Sequence, residues 1–290
     1  MKLIKPSVEI WQQAPGMSGI YQQIERCARV CYKSEDKIGE GTAEKMVQML
    51  MEREHTAMLE HGTIYLDIPH DCNKLIGDEQ RYINNPYSIV NEGEVIYDNV
   101  SHETHYYITT NYRVLYENDW LDDLQYLCEP IEFHEKRVTV HFICDRGISH
   151  ELVRHRVFSF AQESTRYCNY SKDKFGKELT FIIPCWTNIP EGDYGSRVFP
   201  KIVQRGWHDG VSQIFINNCR YSEEAYLYLL EESWTPQQAR SVLPNSLKTE
   251  VCMTGFKGDW DRFFDLRCAQ AAHPQMRELA IPLQEMFKRL

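Results

Sequence analysis

Apolar positions along the chain alternate between a helical and an extended period. Ile20, Ile24, Cys27 and Cys31 recur at helical spacing, and Ser18 ahead of them predicts an N-cap. The i,i+4 pair Cys27 and Cys31 has a spacing that a metal could share, but Ile20 and Ile24 mark the same face as core. A second helix is expected after Thr42, turning Met46, Met49 and Leu50 inward. Ile64, Leu66 and Ile68 then alternate as a half-buried strand does, and so do Val138, Val140, Phe142 and Cys144. Asp145, Arg146 and Gly147 break that second strand, and Asp145 is placed to cap a helix carrying Leu152 and Val153.

Between these segments the pattern is less regular. YINNPYSIVNEGE reads as loop, and YYITTNYRVLY, from Tyr106 to Tyr116, reads as strand. LTFIIP, ending at Pro184, is a short strand, and the stretch from Trp186 to Gly210 is irregular. The last third is helical. Tyr221 to Ser233 forms one helix, Thr235 and Pro236 open another that stops near Pro244, and Asp259 caps a helix carrying Phe263, Phe264 and Leu266. Met276, Leu279, Leu283, Met286 and Leu290 make a final stripe, with a kink expected at Pro282. No linker of distinct composition divides the chain. The pattern predicts an α+β protein: a central, mostly antiparallel sheet flanked by helices, in one domain over residues 1–290.

Composition narrows the function. The net charge of −10 argues against a general nucleic-acid binder, which needs a basic face. It leaves room for a small anion held by a local arginine cluster. No apolar run approaches the roughly 20 residues of a membrane span, the N-terminal residues lack a signal-peptide core, and ten cysteines without CxxC pairing suit a reducing cytoplasm. No HExxH or His/Cys spacing predicts a metal site.

The densest chemistry lies in RHRVFSFAQESTRY, from Arg154 to Tyr167. Arg154, His155 and Arg156 stand together, and Gln162, Ser164 and Arg166 follow with amide, hydroxyl and guanidinium donors. Adjacent cations repel, so such a cluster is costly to bury unless anions are near. On a helix the three would fan over roughly 200° and face more than one ligand or subunit. Arginine forks match phosphate oxygens. The plainer alternative is a solvated basic stretch paired with Glu151 and Glu163.

Arg-His-Arg, seven residues, then Ser resembles the signature of the flavin-dependent thymidylate synthases (the ThyX family), and Arg154 to Ser164 fits it without a gap. Four further segments resemble that family in order: ARVCY from Ala28, HTAMLEH from His55 to His61, ARSVLP from Ala239 to Pro244, and DRFFDLR ending at Arg267 and followed by QMRELA. Against that family, residues near 69–130 and 186–210 read as insertions.

The resemblance implies a homotetramer with shared active sites that methylates dUMP to dTMP, with FAD as redox cofactor, NADPH as reductant and 5,10-methylenetetrahydrofolate as one-carbon donor. It implies FAD contacts from Arg154, His155, Arg156 and Gln162, with Arg262 compensating where Phe256, Lys257 and Gly258 replace the family's Asn-x-Arg. It implies dUMP contacts from Arg154, Gln162, Glu163, Ser164, Thr165, Arg166, Arg240 and Arg267, with Ser164 and Arg267 catalytic. Arg267 would stabilise negative charge on the pyrimidine; the plainer alternative is an arginine snorkelling from a mixed apolar helix. Glu151 stands where the family often has Gln, which removes the basis for a substrate contact there. Cys168, beside Arg166, is expected to pack between Tyr167 and Tyr170 rather than act as a nucleophile. The rival reading, drawn from Phe256–Gly258, is a nucleotide-binding regulatory homologue without flavin chemistry.

Overall fold

The two longest apolar strands pair with one another. In a computed structural model describing residues 1–70, 79–97, 101–173, 176–195 and 210–290, the chain runs β1 (Lys2–Ile4), β2 (Ser7–Trp11), α1 (Gly16–Tyr32), α2 (Thr42–Glu52), β3 (Thr63–Pro69), α3 (Gln80–Ile83), β4 (Ile89–Tyr97), β5 (Ser101–Asn111) and α4 (Tyr112–Glu117). It continues through β6 (Arg137–Asp145), α5 (Arg146–Leu152), β7 (Ser159–Gln162), β8 (Thr180–Ile182), β9 (Gly192–Asp193), α6 (Gly210–Glu231), α7 (Pro236–Ala239), β10 (Lys248–Phe256), α8 (Lys257–Arg267) and α9 (Pro274–Phe287). The α+β, mostly antiparallel expectation holds, but the strands form three sheets rather than one: β2-β6-β10-β7, β3-β5-β4 and β8-β1-β9, with only β1–β8 parallel.

The four-stranded sheet carries the site. β6 and β10 pair along their full length, from Lys248 opposite Asp145 to Phe256 opposite Arg137. Their alternate residues serve different cores. Val138, Val140, Phe142, Val251 and Met253 pack against Trp260 and Phe263 of α8 and Met276 and Leu279 of α9. On the other face Cys252 packs with Cys27 and Val30 of α1. There, too, Thr254 Oγ1 lies 2.7 Å from His61 Nδ1 and 2.8 Å from Thr139 Oγ1. A strand covered on both faces loses its polar/apolar alternation, which is why β10 escapes a periodicity reading. Cys27 is fully buried in this core, and no metal-holding cluster of His, Cys, Asp or Glu occurs among the described residues.

Several caps follow the sequence closely. Asp145 accepts from Ile148 N at 2.8 Å to start α5, and Gln275 Nε2 donates to its other oxygen at 2.7 Å, tying α9 to the same point. Thr235 and Gln238 form a capping box with Pro236 at the first position of α7. Others are corrected. α1 starts at Gly16 behind Pro15, so Ser18 lies within the first turn. Asp259 is likewise inside α8, whose N-cap is Phe256. α6 begins eleven residues before Tyr221, the expected start.

The 69–130 region is more ordered than its composition suggests. Part of the stretch read as loop is β4, which pairs with β5 from Ile89–Thr109 to Tyr97–Ser101. Asn91, Glu92, Gly93 and Glu94 are poor strand formers; a well-formed neighbour recruits them. At Gly93 a Cβ would sit 2.7 Å from the Tyr107 ring, so the close approach requires glycine. The strand expected over Tyr106–Tyr116 ends at Asn111, whose side chain accepts from Val114 N at 3.2 Å and starts α4. Most of the 186–210 excursion, residues 196–209, lies outside the described residues. Among the described residues no helix is long and apolar enough to cross a membrane.

Candidate active site

Arg154, His155 and Arg156 do not lie on a helix. α5 ends at Leu152, and the three occupy the turn that leads into β7. Arg154 and Arg156 are exposed, and no carboxylate pairs with either among the described residues. The acidic partners of the plainer reading are engaged elsewhere: Glu151 with Arg267, and Glu163 with Lys248. Two free forks therefore flank His155.

His155 is held between aromatic rings and a guanidinium. Its ring centroid is 5.0 Å from that of Phe263 and 6.2 Å from that of Phe158. Arg267, the last residue of α8, donates from Nε to His155 Nε2 at 2.8 Å, from Nη1 to Glu151 Oε2 at 2.6 Å, and from Nη2 to the Glu151 carbonyl at 3.0 Å. Arg267 thus bolts α8 to the end of α5 and is not a snorkelling surface residue; its side chain is 14% exposed. Because Nε2 accepts, the imidazole proton belongs on Nδ1. Burial, reinforced by the Arg267 charge, pushes His155 down to about 4. Glu151, set aside on sequence grounds, is what aims Arg267. A cleft of about 430 Å³ opens beside it, lined also by Ile148, Trp186, Asn245 and His273.

Protonation of His155 is easier in the unfolded chain, near 6.5, than in the folded one. This contribution to stability is therefore complete above about pH 6.5 and is lost as pH falls from there towards 4. A proton NMR titration should give His155 a midpoint well below 6, and Arg267→Ala should move it upward; a midpoint near 6.5 would contradict the neutral, Arg267-bonded ring.

The second group lies beyond β7. Ser164 N donates to the Cys31 carbonyl at 3.1 Å, and Ser164 Oγ accepts from Arg166 N at 3.2 Å. Thr165 is buried, and its hydroxyl accepts from Arg240 Nη1 at 3.5 Å. Arg166 and Arg240 are exposed; Arg166 lies 5.2 Å over the Tyr167 ring, which packs against Tyr32. Gln162 donates its amide to Ser149 Oγ at 2.9 Å and Thr249 Oγ1 at 3.2 Å, an anchoring role. Glu163 is 3% exposed, its oxygens taken by Tyr170 Oη at 2.8 Å and Lys248 Nζ at 2.9 Å, so it braces the loop and presents nothing to a ligand. Lys248 and Lys33 also meet Glu250; although burial opposes ionisation, His141 and these lysines hold that carboxyl below its usual range.

The structure brings Arg267, His155 and Glu151 together, and separately Ser164, Thr165, Arg166 and Arg240. It does not join the two groups. His155 precedes β7 in the chain and Ser164 follows it, and no hydrogen bond or ion pair links the two groups among the described residues. Arg262 is 83% exposed and 3.9 Å from Asp259. Phe256 lies under the Arg137 guanidinium at 5.5 Å, and a Cβ at Gly258 would meet open space. Cys168 is buried in a core cluster that includes Tyr170, whereas Tyr167 is exposed.

Residues 129–290 match the family model described as thymidylate synthase complementing protein. The flavin-dependent thymidylate synthase of Geobacter sulfurreducens is 29% identical over 143 residues, covering 49% of this chain and 52% of that protein. That of Aquifex aeolicus is 24% identical, covering 93% of this chain and 95% of its own. The chain spans about half the length of most of the curated relatives it matches. Among solved structures, a UMP/dUMP methylase, PolB, from Streptomyces cacaoi bound with 5-Br dUMP has 17% identity and a TM-score of 0.45, covering 100% of this chain and 93% of its own. With the family model matched over more than half its length, the chain belongs to the thymidylate synthase complementing protein family, that of the flavin-dependent thymidylate synthases.

Proposed function

We propose that the chain converts dUMP to dTMP with 5,10-methylenetetrahydrofolate as one-carbon donor, FAD as redox cofactor and NADPH as reductant, acting in the cytoplasm as a homotetramer with shared active sites. The observation that carries this reading is Arg267, fixed by Glu151 and His155 at the end of α8 in a chain of this family. The donor set fits the cofactor: Arg154 and Arg156 offer two unpaired forks suited to a diphosphate, and Arg262 is free to swing. FAD, when bound, supplies the two electrons that take the transferred methylene to a methyl.

The protein's own work is positional and electrostatic. Arg166, Arg240 and the Ser164 hydroxyl hold the dUMP phosphate and sugar, while Arg267 stabilises negative charge on the pyrimidine. Neutral His155 keeps the Arg267 fork turned the same way without adding a competing positive charge. Within one chain no hydrogen bond or ion pair links the two groups among the described residues, and in a tetramer with shared sites a complete site takes Arg267 from one subunit and Ser164 from another.

That arrangement is open to a mixing test. Arg267→Ala and Ser164→Ala are each expected to be nearly inactive in tritium release from labelled dUMP. Co-assembled after dissociation, they should regain activity approaching a quarter of the parent's per site, since some sites receive neither substitution. Mixtures as dead as their components would contradict shared sites. The second reading, a regulatory dUMP-binding homologue, draws on Phe256 and Gly258, which offer no side-chain donor to a cofactor. An absorbance scan separates the two: bound FAD makes the purified protein yellow, and colourless protein that takes up no added FAD favours the regulator.

A further inference from the structure

A cavity of about 350 Å³ opens at the junction of β2, β3 and the start of β6, away from both groups described above. Its walls include Trp11, Ile20, Tyr65 and Val138 beside polar residues such as Gln13, Thr63 and Thr139. Three sources of positive potential meet there, one of them the exposed Lys136. Another is Arg137. Its Nη1 donates to the Glu60 carbonyl at 3.1 Å and reaches Thr63 Oγ1 and the Thr110 carbonyl at 3.5 Å. Its Nε is buried without a partner, and no carboxylate pairs with it among the described residues. Burial pulls the guanidinium down to about 10, with Tyr65, Glu60 and Asp259 opposing it only in part. The third is the N-terminus of α1, a 17-residue helix whose N-cap Pro15 offers no side-chain acceptor. The anion there is the exposed Glu129 carboxylate, which accepts from Gly16 N at 3.2 Å and lines the same cavity.

We propose that this cavity binds a small organic carboxylate with a flat apolar body, its charge drawn to Arg137 and the α1 N-terminus, and that Glu129 is an intramolecular stand-in that such a ligand displaces. A half-buried guanidinium with no carboxylate partner is costly to keep and is favoured by a nearby anion. The Trp11 and Tyr65 walls suit an aromatic body. Free phosphate has the charge but not the body, and a neutral isostere has the body but not the charge.

Calorimetric titration of 2-naphthoate into the full chain tests this, with 2-naphthamide and inorganic phosphate as controls. Naphthoate should saturate at one site and bind at least about tenfold more tightly than either control. Glu129→Gln, at an exposed position, should tighten naphthoate several-fold by removing the competitor. Arg137→Gln should weaken it at least about tenfold; if that variant does not fold, Glu129→Gln and the naphthamide comparison decide. Equal affinity for naphthamide, no saturable binding, or an unchanged Glu129→Gln would overturn the proposal. So would displacement of naphthoate by FAD or dUMP, which would make the cavity part of the nucleotide site. The readout is independent of turnover, so an inactive enzyme that still binds naphthoate fails only the reading given under the proposed function.

Discussion

Arg267→Ala is expected to lower dUMP turnover by about 10²–10³-fold, the usual loss when one positioned stabiliser of developing charge is removed. The geometry says that folding will suffer much less. The Arg267–Glu151 pair is 14% and 33% exposed on its two sides, so water screens the carboxylate left behind, and such pairs contribute about 1 kcal/mol or less. Arg267 also ends its helix, so no helical turn depends on it. The separating measurement is kcat and KM for dUMP beside the melting temperature of the same preparation. Arg267→Lys keeps the charge but cannot serve His155 and both Glu151 oxygens with one fork, so it should recover little. A folded Arg267→Ala enzyme with parental turnover would remove Arg267 from the mechanism.

The largest stability effect is expected at Trp260. Its side chain is fully buried and meets five aromatic rings: Phe158 at 4.7 Å, Phe287 at 5.2 Å, Phe263 at 5.3 Å, Phe264 at 6.2 Å and Phe142 at 6.4 Å. Its indole Nε1 donates to the Val138 carbonyl at 3.2 Å, pinning α8 to β6. Trp260→Ala deletes that packing, leaves a cavity and orphans a buried acceptor, for a loss of about 3–5 kcal/mol. That is a large share of the 5–15 kcal/mol typical of a folded domain. Urea unfolding followed by far-UV circular dichroism gives the number; a loss under about 1 kcal/mol would mean that the aromatic cluster does not hold the helix layer to the sheet. Trp260→Phe should fall between. The same helix presents Arg267, so a destabilised Trp260 variant should also lose turnover in proportion to its unfolded fraction.

Local chemistry made much of this protein legible. Asp145 and Thr235 cap helices because a short acceptor followed by a break needs only its neighbours, and β3 and β6 follow from period-two apolar residues. The arginine-rich motif made a small-anion site the expectation through residue type alone, and five ordered segments carried the family resemblance. Placement was harder. The motif's basic triplet was expected on a helix, yet α5 ends at Leu152 and leaves it in a turn. Glu163, a substrate contact by resemblance, has both carboxylate oxygens engaged by Tyr170 and Lys248, which only the fold brings to it.

By itself, then, the sequence determined the local starts and stops, the mixed α+β class, the kind of chemistry and the family. The tertiary structure alone decided that β10 is a central strand, that Glu151 and His155 aim an arginine 116 and 112 residues away, and that Arg240 meets Thr165. The physical reason is range. Caps and alternation depend on residues within a turn or two of chain, whereas a strand covered on both faces, or an ion pair between helices, takes its meaning from neighbours that only folding supplies.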